Sequence, residues 1–230
     1  MEKFLHKHHR SEYFSKKLTG YVGPDGAVYL TDPRKLLVNR CVDLSLSFLF
    51  LTLVFSWLFP LLGLLIKLDS PGPILFRQLR HGKGNKGFWC YKFRTMKRNP
   101  EADTRQASKD DQRVTRLGRF LRKTSLDETP QFINVLLGDM SIIGPRPHAV
   151  PMNYLFSKEI SNYMFRHAVK PGITGLAQVR GYRGEVLDFF DIHGRVRLDH
   201  FYIKNWCLFL DLKILFWTVS AVLFKNTKAY

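Results

Sequence analysis

Two neighbouring carboxylates, Asp127 and Glu128, stand out in a strongly basic chain. They lie in the segment TSLDETPQ, directly after a run that contains Arg116, Arg119 and Arg122. A carboxylate beside such cations stays ionised and can attack phosphorus, and a second carboxylate can hold Mg²⁺, which takes oxygen ligands and bridges phosphates. The pair therefore predicts phosphoryl chemistry on an anionic substrate, with Asp127 and Glu128 as the catalytic residues.

A structural role for the pair is the alternative. Ser125 and Glu128 have the S-x-x-E spacing of a capping box, and Pro130 is tolerated only in the first turn of a helix. Both features predict that the carboxylates lie at the start of a helix through QFINVLLGDM, where the helix dipole favours acidic residues. Helix capping and catalysis thus both remain open, and the surrounding cations favour catalysis.

Further basic residues could bind the phosphates of such a substrate. The strand-like FWCYKF predicts a short strand or hairpin that leads Lys92 and Arg94 inward. Arg146 lies between two prolines in GPRPH, so its guanidinium is presented on a stiff backbone and can make bidentate contacts to phosphate. In the amphipathic segment RVTRLGRFLRK, Arg122 lies nearest the carboxylates, and the outer arginines suit solvent or lipid headgroups.

The composition limits the function classes. The net charge of +17 at pH 7 points to anionic partners, namely phosphates, nucleic acid or an acidic membrane surface. A chain of 230 residues, 45% of them hydrophobic, fits one domain with appendages. Because Cys41, Cys90 and Cys207 match no metal or disulfide pattern, we expect reduced thiols in a cytoplasmic setting.

Residues 44–66 contain no charged side chain and are long enough to fill a bilayer core at ~1.5 Å per residue. Basic residues flank both ends, and both flanks therefore favour the cytoplasmic side. Within the segment, Pro60 removes a helical hydrogen bond, and the Ser56 hydroxyl can reach a freed carbonyl. A bent, re-entrant helix that enters and leaves through one leaflet satisfies these features, and a kinked span is the alternative.

The two ends of the chain carry further predictions. The C-terminal segment NWCLFLDLKILFWTVSAVLFK is interrupted by Asp211 and Lys213 and predicts a helix lying on the membrane surface, with a buried core helix as the alternative. Residues 1–36 predict a basic extension with a hairpin around the Pro-Asp-Gly of YVGPDGAVYL. The tract His6–His9 could bind a metal, but its terminal position favours a flexible basic tract.

Several motifs in one order, from about residue 37 to about residue 224, resemble the bacterial sugar transferases, the monotopic polyprenyl-phosphate phosphoglycosyl transferases. These motifs are IKLDSPGPILFRQLRHG, YKFRTM, LRKTSLDETPQFINVLLGDMSIIGPRPH, RHAVKPGITGLAQVRGYRG and NWCLFLDLKIL. The details GPRPHAV and GYRGE resemble members that act on glucose or galactose. The resemblance makes residues 37–230 the catalytic domain, with the membrane segment 44–66 included.

The resemblance implies an α/β, mainly helical, monotopic fold with one re-entrant membrane helix, short strands and an interfacial C-terminal helix. It implies transfer of a sugar-1-phosphate from a UDP-sugar to polyprenyl (undecaprenyl) phosphate, with Mg²⁺ and with release of UMP. The expected location is the bacterial inner membrane, with the active site on the cytoplasmic face. The reaction would be the first membrane step of surface glycan assembly.

The resemblance also assigns residues. Asp127 would be the nucleophile that forms a covalent aspartyl-phosphosugar, and Glu128 would serve the metal. The family's other charged positions fall on Lys92, Arg122, Arg146 and Asp199. The Ser-Pro found at the bend of many members falls on Ser56 and Trp57, with Pro60 three residues on, which predicts a shifted or shallower bend. Arg180 stands where members often have Asn.

The expected partners are a UDP-sugar, polyprenyl phosphate and membrane lipids, with a homodimer left open. Two other functions compete with this one. A membrane-tethered nucleic-acid-binding module would use the positive charge and the aromatics Phe88, Trp89 and Tyr91. A non-catalytic scaffold would only bind polyprenyl phosphate within a glycan assembly complex. Because neither function explains the acid pair, we expect an enzyme with no nucleic-acid partner.

Overall fold

The computed structural model describes residues 33–99, 107–108, 111–184, 186 and 188–224. The hairpin predicted around YVGPDGAVYL and the tract His6–His9 lie outside the described residues. Within them the chain is mainly helical with two short two-stranded sheets, which confirms the predicted α/β, mainly helical class.

A long apolar helical segment begins the described chain. It consists of α1 (Pro33–Phe50), a π-helical stretch (Leu51–Phe55) and α2 (Ser56–Asp69). Among the described residues, this is the one helical segment that is long and apolar enough to cross a membrane, with a mean hydropathy of 2.4 in its most apolar part. The predicted membrane segment 44–66 lies inside it.

The helix is irregular close to the predicted bend. The Ser56 N–H donates to the Leu51 carbonyl, five residues back, so the Thr52 carbonyl loses its regular partner. The Ser56 hydroxyl donates a hydrogen bond to the Thr52 carbonyl instead, at 2.8 Å. Pro60, inside α2, has no N–H to donate to the Ser56 carbonyl. π-Helical turns and internal prolines are recognised causes of helix kinks, so both sources of irregularity lie within about two turns of Ser56.

An antiparallel hairpin follows the apolar helix. Strands β1 (Leu75–His81) and β2 (Gly87–Phe93) pair from Leu75 opposite Phe93 to His81 opposite Gly87. Asn134, in the next part of the chain, donates to the Trp89 carbonyl and accepts from the Tyr91 N–H, at 2.7 and 3.0 Å. These bonds dock β2 against the segment that carries the acid pair.

The acid pair lies between two short helices, α3 (Arg116–Thr124) and α4 (Gln131–Leu137). A single 3₁₀ turn, Leu126–Glu128, presents the two carboxylates. Leu121 of α3 is fully buried beneath α2, while Phe120 on the neighbouring face is exposed. The turn is therefore fixed by helices that pack on both the hairpin and the apolar segment.

The remaining elements complete the core. Strands β3 (Ser141–Ile143) and β4 (Gly172–Thr174) form a parallel pair. The helices are α5 (Val150–Glu159), a 3₁₀ helix (Tyr163–Ala168), α6 (Leu176–Val179), α7 (Phe189–Lys204) and α8 (Leu208–Phe224). The largest core cluster joins β2, β3, α7 and α8 and includes Cys90, Met140, Ile203 and Ile214.

Helix α8 packs on one side only. Asp211 and Ile214 are buried, and Asp211 accepts hydrogen bonds from the Tyr202 hydroxyl and the Trp206 indole N–H at 2.9 and 2.8 Å. The opposite face exposes apolar side chains at Phe209, Leu212, Phe216, Val219 and Val222. This one-sided packing excludes a fully buried core helix and leaves an apolar surface of the kind found on interfacial helices.

Candidate active site

The turn that carries the acid pair starts from a left-handed residue. Ser125 has φ = 61° and ends α3, and its side chain makes no capping hydrogen bond to the turn. The predicted capping box is therefore wrong: the Ser125 hydroxyl accepts instead from Arg183 at 2.5 Å. Asp127 and Glu128 are buried, in the turn just before α4 rather than in its first turn.

Glu128 is held by two cations. Its Oε1 accepts from Lys92 Nζ and from Arg146 Nη2, both at 2.5 Å, and its Oε2 accepts from Arg146 Nη1 at 3.1 Å. Burial opposes ionisation of Glu128, but Arg146 and Lys92 outweigh it and hold the pKa of this carboxyl well below its usual range. Glu128 is thus a stable anion at the centre of the site.

Asp127 differs from its neighbour. Among the described residues its carboxylate makes no hydrogen bond and no salt bridge, although it is only 8% exposed. Burial and the neighbouring charge of Glu128 raise the pKa of Asp127, and the positive charges of Lys92 and Arg122 only partly offset this. An unpaired buried carboxylate beside cations has the lone pairs of a nucleophile free for reaction.

Two of the other predicted cations lie at the site, and one does not. Arg122 donates from Nε to Thr95 Oγ1 at 2.8 Å and lies close enough to Asp127 to affect its ionisation. Arg146 contacts Glu128, as described above. Arg94 instead binds the carbonyls at the end of α2, including those of Ile66 and Ser70 at 3.2 and 2.6 Å.

Asp199 lies one layer behind the acid pair. It accepts from Arg166 Nη2 at 2.7 Å, and both side chains are almost fully buried. Arg166 also donates to the backbone carbonyl of Arg146 at 2.8 Å and contacts His148 at 2.8 Å. Asp199 therefore affects the site only indirectly. It binds Arg166, and Arg166 fixes the backbone that presents the Arg146 guanidinium.

Sequence analysis missed three arginines that surround the site. Arg166 and Arg183 make the contacts just described, and Arg195 is buried beside His148, with Nη1 at 3.2 Å from His148 Nε2. Burial and the neighbouring arginines lower the pKa of Arg195 to about 10. For Arg183 the signal was the glycine-rich GYRG stretch. Arg166 begins the motif RHAVKPG, in which no residue was assigned a role, and Arg195 lies in ordinary helical sequence.

A cavity of about 810 Å³ extends from the acid pair to α8. Its polar end is formed by Ser125, Glu128 and Arg183, and its other end by apolar and aromatic side chains of α4, β4 and α8. The Arg180 guanidinium also lines the cavity and lies over the Trp217 ring, 4.5 Å from its centroid. The lining of the cavity therefore combines Glu128 and two arginines, Arg180 and Arg183, with an apolar surface.

The carboxylates are also the candidate ligands of a metal ion. Within the described ranges, no group of three or more His, Cys, Asp or Glu side chains could form a metal cage by itself. Mg²⁺ at phosphoryl-transfer sites is usually held by one or two carboxylates together with substrate phosphates. A carboxylate offers about four lone-pair positions, so Glu128 retains acceptor capacity beside Lys92 and Arg146. The residues present fit an ion that binds together with its substrate.

Comparison with known proteins places this arrangement in a family. A profile described as bacterial sugar transferase matches residues 34–225. The UDP-glucose:undecaprenyl-phosphate glucose-1-phosphate transferase of Escherichia coli K12 is 49% identical over 196 residues, which cover 84% of this chain and 42% of that protein. The enzyme of the same name from Xanthomonas campestris pv. campestris is 50% identical over 164 residues, covering 70% and 34%.

A third relative acts on a different sugar. The UDP-N-acetylgalactosamine-undecaprenyl-phosphate N-acetylgalactosaminephosphotransferase of Aeromonas hydrophila is 45% identical over 195 residues, covering 84% of this chain and 45% of that protein. The chain thus spans less than half the length of each of these three relatives. The profile match over residues 34–225 spans the acid pair, its cations and the apolar helix.

Proposed function

This chain belongs to the bacterial sugar transferase family, and on that premise we propose that it transfers a sugar-1-phosphate from a UDP-sugar to undecaprenyl phosphate and releases UMP. The names of the relatives support the reaction class and both substrates. Because those names differ in the sugar, the proposal extends to UDP-hexoses as a class. The product would begin a surface glycan on its lipid carrier.

The asymmetry of the acid pair carries this proposal. Glu128 is paired with Lys92 and Arg146, whereas the adjacent Asp127 has no partner among the described side chains. A purely structural pair would be expected to satisfy both buried carboxylates. One oxygen of Asp127 is therefore available to attack, while Glu128 keeps the neighbouring cations in place.

The reaction would proceed in two displacements. An Asp127 carboxylate oxygen attacks the sugar-side phosphorus of the UDP-sugar, an O–P bond forms, and the bond to the bridging oxygen breaks so that UMP leaves. A phosphate oxygen of undecaprenyl phosphate then attacks the same phosphorus and expels the Asp127 carboxylate. The product is the lipid diphosphosugar, and Asp127 is regenerated. No proton is required at either phosphorus, because both nucleophiles act as anions.

The cations have separate tasks in this scheme. Lys92 and Arg146 hold Glu128 and are placed to neutralise the diphosphate that enters beside it. Arg122 lies beside Asp127, and Arg183, which lines the cavity, is fixed by Ser125. Desolvated charges of this kind stabilise the developing charge on phosphate oxygens more strongly than they would in water. Arg166 and Asp199 position Arg146 from behind.

We include Mg²⁺ in the proposal. Glu128, with Asp127 beside it, would hold the ion together with the diphosphate of the donor. When bound, the ion supplies Lewis-acid neutralisation of phosphate charge.

We also propose that the chain is monotopic, with the apolar helix re-entrant. In α1, Arg40 donates to the Val135 and Leu136 carbonyls at 2.6 and 2.9 Å. At the end of α2, Arg94 binds the Ile66 carbonyl. A straight crossing would carry one end away from the catalytic body, whereas here both ends contact it. The exposed apolar faces of α2 and α8 supply a surface for lipid, and the basic flanks favour the cytoplasmic face of the inner membrane.

Two native cysteines test this topology, because Cys41 and Cys207 are both exposed and lie before and after the uncharged residues 44–66. Variants that retain only one of them are labelled with a membrane-impermeant maleimide. The one-sided arrangement predicts that both react in inside-out vesicles and neither reacts in intact spheroplasts. Labelling of the two cysteines from opposite sides would contradict it.

The enzymatic proposal is tested by UMP release from purified protein supplied with UDP-glucose, Mg²⁺ and undecaprenyl phosphate. Asp127→Asn should lower turnover about a thousandfold or more, since it removes the nucleophile but little volume. Asp188→Asn is the matched control: Asp188 caps α7, and Asn caps helices equally well. Undiminished UMP release in Asp127→Asn would remove the mechanism, and absence of release from the parent protein with any UDP-hexose would favour a non-catalytic scaffold.

A further inference from the structure

The cavity between the acid pair and α8 has two chemically different ends. Ser125, Glu128 and Arg183 form the end that adjoins the acid pair, where one carboxylate, one guanidinium and one hydroxyl line the cavity. Phe132, Val179 and Trp217 are among the side chains of its outer part. The uracil ring of a uridine diphosphosugar could stack on one aromatic side chain, but its ribose, phosphates and sugar are polar and would gain little from the aliphatic side chains of Val179, Ala221 and Val222. A phosphate joined to a hydrocarbon chain matches both ends.

The outer part of the cavity leads to the surfaces that we assign to lipid. Phe132, which lines the cavity, stacks on Phe50 of the apolar helix with ring centroids 4.2 Å apart. On the other side, Val222 lines the cavity and is 46% exposed on the apolar face of α8. The cavity is therefore bounded by α8, and one of its lining side chains, Phe132, packs against the apolar helix.

Arg180 lies at the rim of the same cavity. Its guanidinium stacks on Trp217 at 4.5 Å, and the side chain is otherwise exposed. Stacking on an aromatic ring holds an arginine in place and leaves its N–H groups in the ring plane free to donate. Lys92 and Arg146 approach Glu128 from β2 and from the segment after β3, and neither they nor Asp127 line the cavity, which reaches the acid pair at Glu128. Arg180 and Arg183 therefore lie on the cavity side of the acid pair, and Lys92 and Arg146 lie on another side of it.

We propose that this cavity is the acceptor site, with the phosphate of undecaprenyl phosphate bound between Arg180 and Arg183 and the first isoprene units lying between Phe132 and α8. This inference rests on the proposed function and adds the position of the second substrate. The donor occupies the Lys92 and Arg146 side of the acid pair, leaves as UMP, and the acceptor then approaches the phosphorylated Asp127 from the α8 side. Arg180, which stands where relatives often have Asn, is thus an acceptor-binding residue in this chain.

The experiment separates the two half-reactions. Radiolabelled UDP-glucose alone measures sugar-phosphate transfer to the protein, and later addition of undecaprenyl phosphate measures transfer to lipid. Arg180→Ala should leave the first step within about twofold of the parent and raise the acceptor KM about tenfold, the loss expected for one charge-assisted hydrogen bond. Lys213→Ala is the matched control, because Lys213 also lies over Trp217, at 5.9 Å, but does not line the cavity.

A second variant tests the apolar end without disturbing the core. Val222→Asp places a charge where the hydrocarbon chain would lie, on a side chain that is already half exposed. It should impair transfer to undecaprenyl phosphate more than transfer to farnesyl phosphate, since the shorter chain reaches less far along α8. Arg180→Ala should impair both acceptors equally.

The outcomes are distinguishable. A loss in the first half-reaction upon Arg180→Ala would make the cavity a donor site, and unchanged kinetics of both steps would remove Arg180 from substrate binding; either result overturns the proposal. Failure of the parent protein to accept sugar phosphate from the donor would instead count against the proposed function itself.

Discussion

Two buried carboxylates in this molecule, Glu128 and Asp199, are each held by arginine, but their surroundings differ. Glu128 faces a cavity, shares Lys92 and Arg146, and adjoins the unpaired Asp127. Asp199 is 2% exposed and pairs with Arg166, which is 1% exposed and has further acceptors of its own. An ion pair by itself therefore does not identify a catalytic site; an adjacent unsatisfied group and an opening to ligand do.

The two regions also depend on each other. Arg166 donates to the backbone carbonyl of Arg146, so the buried pair of Arg166 and Asp199 helps to fix a side chain that binds Glu128. Burial raises the pKa of Asp199 in spite of Arg166, whereas two cations hold the pKa of Glu128 well below its usual range. The candidate active site thus keeps an ionised carboxylate at Glu128, and the buried pair of Arg166 and Asp199 makes the surrounding structure rigid.

The largest difference between the regions should appear in activity. Glu128→Gln should lower UMP release by about a hundredfold or more, because Lys92 and Arg146 lose the anion that orders them for the donor phosphates. The free energy of unfolding should also fall, but by less than the ~3 kcal/mol expected when a buried ion loses its only partner, since the Asp127 carboxylate in the same turn still interacts with Lys92 and Arg146. Glu159→Gln, at an exposed carboxylate of α5, is the control. Near-normal turnover in Glu128→Gln would contradict the distinction between the two regions.

Asp199→Asn should show the opposite balance. Removing the carboxylate leaves Arg166 buried without a counter-charge, so the free energy of unfolding should fall by about 3 kcal/mol. UMP release in the folded fraction should fall less than in Glu128→Gln, because the substituted side chain lies behind Arg166 and remote from the phosphates. Thermal unfolding in detergent measures the change in stability. Assays of UMP release at temperatures below the unfolding transition measure the change in activity. A variant as stable as the parent but inactive would move Asp199 into the catalytic site.

The smallest effect concerns pH. Because the pKa of Asp127 is raised above that of an ordinary aspartate, UMP release should rise with pH through this higher value as the nucleophile ionises. Lys92→Met removes a charge that favours the ionised form, so the acidic limb of the pH–rate profile should move to higher pH by about one unit. Lys83→Met, in the turn between β1 and β2, should leave the limb unchanged. A shift to lower pH in Lys92→Met would contradict the assignment.

The ordered motifs in the sequence were sufficient to predict the family, and the profile match confirms that resemblance. Lys92 and Arg146 were predicted to bind phosphate, from the segments that carry them and from the resemblance, and the structure places both side chains on Glu128. Arg183 and Arg166 were missed, since their positions depend on packing between segments far apart in the chain. The capping box failed because Ser125 adopts a left-handed conformation that local spacing does not reveal.

The apolar helix illustrates the same limit. Its length and lack of charge were evident from sequence, and Ser56 and Pro60 do lie close to an irregular stretch. The π-helical turn itself was not predictable, because it depends on which carbonyl the Ser56 N–H selects. The sequence identifies the residues at which regular helical hydrogen bonds are lost. The tertiary contacts determine the conformation that the helix adopts there.

The most direct test of the account is mass spectrometry of protein quenched after mixing with UDP-glucose and Mg²⁺ in the absence of acceptor. We predict a hexose-phosphate adduct on the peptide that contains Asp127, lost on addition of undecaprenyl phosphate and not formed in Asp127→Asn. An adduct on another side chain, or none in a preparation that releases UMP with both substrates, would contradict the account.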